Sequence, residues 1–195
     1  SWSVVVGNAA DISFNNSSLF NAIATSTAYG AYTLRWTETN GSCSSFDDIA
    51  VSFNEQPLAD AGTGGSECDL TFVLNAVPSV GTGTWSKVSG PGVISSFSTS
   101  ANDPAATVTV SLYGSYVLRW TEVNGSCSSS DDITVNFSEQ PVADAGPATG
   151  SECDLSIQLG AIQDVAGSTG SWSVVVGNAA DISFNNSSLF NAIAT

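Results

Sequence analysis

The chain contains one phrase twice, and that phrase constrains its fold more than any other feature. Thr33–Ser45 reads TLRWTETNGSCSS and Val117–Ser129 reads VLRWTEVNGSCSS, each followed within three residues by Asp-Asp-Ile. At period two, Tyr32, Leu34 and Trp36 point one way while Thr33, Arg35 and Thr37 point the other, and Tyr116, Leu118 and Trp120 repeat the pattern. One face is core and the other solvent, so Trp36, Tyr116, Leu118 and Trp120 are expected inside, with Trp85 from an earlier strand. Asn40-Gly41 and Asn124-Gly125 are expected to supply the positive φ angles of a tight hairpin turn. Ile49, Val51, Phe53 and Ile133, Val135, Phe137 then alternate with polar residues on the return strands.

Repetition extends through the chain at two levels. Ser1–Thr25 recurs unchanged at Ser171–Thr195, a period of 170 residues. Within that period LRWTE returns after 84 residues, QPLADAG at Gln56–Gly62 returns as QPVADAG at Gln140–Gly146, and SECDL at Ser66 returns at Ser151. Pro57 and Pro141 can open a strand but not continue a central one, and so place the module boundaries. On this reading residues 1–54 are the C-terminal part of a type A module, 55–139 a complete type B module, and 140–195 the N-terminal part of the next type A module. The chain then reads as a window on a longer array. A module of about 85 residues is large enough for one sandwich core.

In type B, strands are expected at Leu58–Ala61, Leu70–Ala76, Thr84–Val88, Val93–Phe97, Thr107–Leu112, Tyr116–Val123 and Ile133–Phe137. Short strands separated by Gly/Ser/Asn turns predict an all-β chain of tandem immunoglobulin-like antiparallel β-sandwiches.

Charge narrows the partners. The 195 residues carry 18 acidic and three basic side chains, a net charge of −15. With Arg35, Lys87 and Arg119 as the only cations, nucleic acid and anionic lipid are poor partners. His is absent and the four Cys lack CxxC spacing, so acid–base catalysis and zinc lose their usual residues and no enzyme is expected. No apolar run approaches the ~20 residues of a membrane-spanning helix. Richness in Ser, Thr, Asn and Gly, with regularly placed Cys, fits a secreted protein. The tryptophans lie at core-facing phases, which favours packing over sugar stacking. A glycosidase pair of carboxylates is disfavoured because every candidate is duplicated.

The ADAG opening, the Cys before the second strand, GTGTWSKVSGPG, YGSYVLRWTEVNGSC and DDITVNF together resemble the PKD/immunoglobulin-like repeats of giant cell-surface adhesins of Bacteroidota, such as gliding-motility adhesins of the SprB type. The resemblance covers essentially the whole chain. It implies export, an extracellular cell-surface location, and a part in a filament or stalk. The FGDG turn of standard PKD modules is missing, so only the sandwich carries over.

In an immunoglobulin-like strand order, the turns holding Cys68 and Cys127 lie at opposite ends of the sandwich. Strands of this length separate them by roughly 20 Å, beyond the ~7 Å Cα limit of a disulfide. Bridges between modules are therefore expected, pairing the SECDL cysteines (Cys68, Cys153) with NGSC cysteines (Cys43, Cys127) of neighbours. The alternative is a Cys68–Cys127 bridge within the module.

No cofactor is expected, with calcium as a possible exception. Asp60, Asp131, Asp132 and Asp144, together with Asp47, Asp48, Glu67, Asp69, Glu152 and Asp154, are expected in loops near module ends where oxygen ligands gather. Against this stands a solvated acidic rim that maintains solubility. Arg35 and Arg119, on the solvent face, are expected to pair across strands with an acidic residue.

The function expected is a structural and adhesive repeat of an extracellular filament, forming a disulfide-stiffened rod. Its partners would be neighbouring repeats, and beyond them other filament chains or surface polysaccharide. An alternative is a spacer or carbohydrate-binding accessory region of a large secreted hydrolase, and a third reading is self-assembly of incomplete A halves from separate chains.

Overall fold

The computed structural model describes residues 1–147 and 150–195, and the chain divides into two compact units, Ser1–Phe137 and Ser138–Thr195. The first unit contains β1 (Trp2–Val6), β2 (Ile12–Phe14), β3 (Ala24–Ser26), β4 (Gly30–Asn40) and β5 (Cys43–Phe53). It continues with β6 (Gly65–Glu67), β7 (Thr71–Val73), β8 (Thr82–Ser89), β9 (Ile94–Phe97), β10 (Thr107–Val110), β11 (Gly114–Asn124) and β12 (Cys127–Phe137).

Strands β6 to β12 form a sandwich of two sheets, in the orders β6-β12-β11-β8 and β7-β10-β9. The pairings are antiparallel except for β6, which runs parallel to β12. A short first strand parallel to the last, in a sheet facing a second antiparallel sheet, is the immunoglobulin-like arrangement. The two inner faces meet in one core that includes Leu74, Trp85, Val108, Val110, Tyr116, Leu118, Trp120, Ile133, Val135 and Phe137. Trp85 and Trp120 sit opposite each other in register, ring centroids 5.3 Å apart and tilted. The Tyr116 hydroxyl donates back to the Leu112 carbonyl at 2.8 Å and accepts from the Gly92 N–H at 2.9 Å, tying the start of β11 to the loops beside it. This is the tyrosine corner of immunoglobulin-like sandwiches.

Residues 1–53 repeat half of that design. β1-β4-β5 form a sheet with Trp2 opposite Trp36 at 5.3 Å, matching β8-β11-β12, and Tyr32 packs edge-on to Phe53 as Tyr116 does to Phe137. Their core is smaller, built on Ile12, Tyr32 and Leu34.

The second unit pairs β13 (Ile157–Gln158) with β14 (Ile193–Ala194), as β7 pairs with β10 in the sandwich. A bridge joins Phe184 to Ala194.

Three details differ from the sequence reading. The first strand is Gly65–Glu67 and not Leu58–Ala61, because the latter is extended with a single bridge, Asp60 to Val77, and Leu58 faces solvent. The return strands begin at Cys43 and Cys127, so Asp47, Asp48, Asp131 and Asp132 lie within strands and not in loops. The full-length pairing of β11 with β12, down to Asn124 opposite Cys127, draws these polar residues into the ladder. The positive φ belongs to Gly41 and Gly125 alone; Asn40 and Asn124 are the last strand residues. The two-residue loop is thus Gly-Ser, with Gly at the first central position as a type II′ turn requires.

Candidate functional site

The site with the most specific geometry lies where the sandwich meets the segment that enters it. Asn124, at the tip of the β11–β12 hairpin, donates its side-chain N–H to the Glu55 carbonyl at 2.9 Å. Gln56 donates to the Ser128 carbonyl at 2.7 Å, and Cys127 Sγ lies 3.7 Å from the Asn54 carbonyl oxygen. Gly125 is required twice over. Its φ is +60°, and a Cβ there would lie 2.3 Å from the Asn54 side chain. The hairpin tip therefore holds the segment that follows β5.

Behind the tip, Glu122 is buried, only 1 % exposed. Its carboxylate accepts from the Trp120 indole at 3.0 Å, from the Ser79 N–H at 3.0 Å and from the Ser79 hydroxyl. Burial pushes this carboxyl up, but the donors from Ser79, Trp120 and Val80 outweigh it and hold the group below its ordinary value. Tyr116, Leu118, Trp120 and Glu122 share one phase of the strand, so the alternation itself pointed to a buried Glu. The sequence reading stopped at Trp120.

Along the same edge, the Ala59 N–H donates to Ser129 Oγ at 3.3 Å and the Ala61 N–H to Asp131 Oδ2 at 3.0 Å. On the opposite face Arg119 forms a two-pronged bond with Asp132 and Arg35 one with Asp48, as expected of the solvent face. Each arginine hydrogen bond holds its aspartate below the ordinary carboxylate value. Arg35 also lies over the Phe46 ring, 3.6 Å from its centroid.

The calcium candidates are engaged separately. Asp60 and Asp144 each accept from the N–H two residues on, Gly62 and Gly146, at 2.8 Å. Asp131 accepts from Ala61 and Asp132 from Arg119. Among the described residues no three metal-ligating side chains of this kind gather. Of the core candidates, Trp85, Tyr116, Leu118 and Trp120 are buried, whereas Trp36 is half-buried.

The four cysteines are unbonded. β6 pairs Glu67 with Phe137, so Cys68 follows the end of β12, whereas Cys127 begins that 11-residue strand. At ~3.3 Å per residue the two are about 33 Å apart along the sheet.

No protein-family model and no curated protein matches the sequence. Among solved structures, the chain is similar to surface layer protein SbsC domains 1–6, at 15 % identity and TM-score 0.31, over 88 % of this chain and 25 % of that one. It is also similar to mouse protocadherin-24 EC1-3, at 12 % identity and TM-score 0.33, over 100 % of this chain and 76 % of that one. Human protocadherin-24 EC1-2 gives 11 % identity and TM-score 0.29, over 72 % and 82 % of the two chains. The chain thus spans a quarter of the SbsC domain 1–6 chain. The fold class rests on the sheets themselves.

Proposed function

We propose that this chain is a structural and adhesive repeat of an extracellular surface filament, a mechanical element and not a catalyst. The observation that carries the reading is the hairpin tip of a sandwich clamped on its entering segment by Asn124, Gly125 and Gln56. A clamp of this kind limits bending at every joint of a tandem array. Modules of types A (1–54 and 140–195) and B (55–139) would alternate, with neighbouring repeats as first partners and other filament chains or surface polysaccharide beyond them. The acidic surface would keep such a filament soluble and away from nucleic acid and anionic lipid.

Disulfides between modules would stiffen the rod. The NGSC cysteine of each sandwich lies at its entering end and the SECDL cysteine at its leaving end, as Cys127 and Cys68 do, so a head-to-tail array brings the two kinds together at each joint. Gold-labelled antibody against this chain, applied to intact cells, should decorate extended surface filaments. Label confined to permeabilised cells would overturn the surface assignment.

A further inference from the structure

Ser1–Thr25 and Ser171–Thr195 are identical and fold alike. The indoles of Trp2 and Trp172 donate to the carbonyls of Leu19 and Leu189, each at 3.0 Å. Asn8 and Asn178 cap the same short turn, and Ser13 pairs with Thr25 as Ser183 does with Thr195. Their surroundings are complementary. In residues 1–54 the segment has the β4–β5 hairpin but nothing equivalent to residues 140–170; in the second unit it has residues 140–170 but no hairpin.

The type B sandwich, which has both, shows what each half lacks. Ala61 is 0 % exposed beneath β12, whereas its counterpart Ala145 is exposed. Ile133 is 5 % exposed and its counterpart Ile49 is 50 % exposed. Glu122 is buried and Glu38 is exposed. The second unit carries a groove of about 260 Å³ lined by Val142, Ala145, Ile162, Asp164, Trp172 and Phe190 among others. The groups that fill the corresponding place in type B are Ser128, Ser129 and Asp131, which bind Gln56, Ala59 and Ala61. Ser44, Ser45 and Asp47 repeat them in the first half, and Gln140, Ala143 and Ala145 repeat their partners in the second.

We propose that residues 140–170 of one copy of this chain dock on the β1-β4-β5 sheet of a second copy and close a complete type A sandwich. Ser1–Thr25 of the second copy takes the place of Ser171–Thr195, which is released. Identical segments exchange like for like, as in domain swapping, so the contacts made to the hairpin are the net gain. Phe20, 78 % exposed in the first half, acquires the cover that its twin Phe190 has beside Gly170. The contact is head to tail and grows into an open chain of copies. It rests on the modular reading but not on a surface location or on disulfides.

The test is sedimentation of the whole 195-residue chain under reducing conditions. The expected mass rises with concentration past two copies. Two variants change residues that are exposed in the single chain: Ala145→Arg blocks the groove and Ile49→Asp blocks the hairpin face. Each alone should be monomeric, and their equimolar mixture should form a dimer and stop there. A wild-type mass that stays monomeric, or a mixture no more associated than its parts, overturns the proposal. Either result leaves the surface-labelling test intact.

Discussion

Ser79 donates both its backbone N–H and its hydroxyl to the buried carboxylate of Glu122, and the same hydroxyl accepts from the Leu58 N–H at 2.9 Å. One serine thereby joins the entering segment, the loop before β8 and the middle of the main sheet. Removing its hydroxyl leaves a charged group short of a donor away from water. Ser79→Ala should cost about 1–3 kcal/mol of unfolding free energy, read by urea titration; a change within a few tenths would mean that water replaces the hydroxyl.

The same carboxylate sets a pH dependence. Its folded value lies below the unfolded one of about 4.3, so its contribution is fully present above that value and is lost as pH falls through the folded value. Glu122→Gln should flatten the loss of stability on acidification below about pH 5. An acid unfolding curve that keeps its slope in the variant would assign the effect to other carboxylates, such as Asp132 held by Arg119.

The two stacked tryptophans should respond differently to loss of the indole N–H. Trp120 uses it on Glu122, whereas the buried Trp85 Nε1 has no partner. Both changes to Phe lose packing, but Trp120→Phe also removes a charge-assisted bond, so it should be the more costly by about 1.5–3 kcal/mol. Equal losses in chemical denaturation would contradict this account of Glu122.

In the second unit Asp164 occupies the place of Ser79, accepting from the Val142 N–H at 3.0 Å as Ser79 does from Leu58. When residues 140–170 close on the β4–β5 hairpin, this carboxylate meets Glu38, which already accepts from the Trp36 indole. Like charges at such a contact oppose closure. Asp164→Ser should therefore shift the association of the 195-residue chain to lower concentration at neutral pH. Weaker association in sedimentation would contradict the assigned contact.

Much of this architecture was legible because alternation at period two leaves a strong imprint where one face is buried. β4, β11 and the apolar ends of β5 and β12 follow it residue by residue, and the arginine–aspartate pairs follow from the same register. β6 was not legible: Gly-Ser-Glu has no apolar alternation, and it is a strand only because β12 offers a free edge for parallel pairing. Leu58–Ala61 shows the opposite case, an apolar pattern with Leu58 turned to solvent and Ala61 inward. The polar starts of β5 and β12 were hidden because the hairpin ladder, and not burial, holds them. The joint contacts were invisible for a related reason: Asn124 and Gly125 look like turn residues, and only the fold brings Asn54–Gln56 beneath them.

The central claim, a rod of modules fixed head to tail, is tested most directly by non-reducing peptide mapping of the native material. The account predicts peptides joining the SECDL cysteine of one module to the NGSC cysteine of the module after it: Cys68-type to Cys43-type, and Cys153-type to Cys127-type. A peptide joining Cys68 to Cys127 of the same sandwich would contradict it, since those residues lie at opposite ends of the sheet.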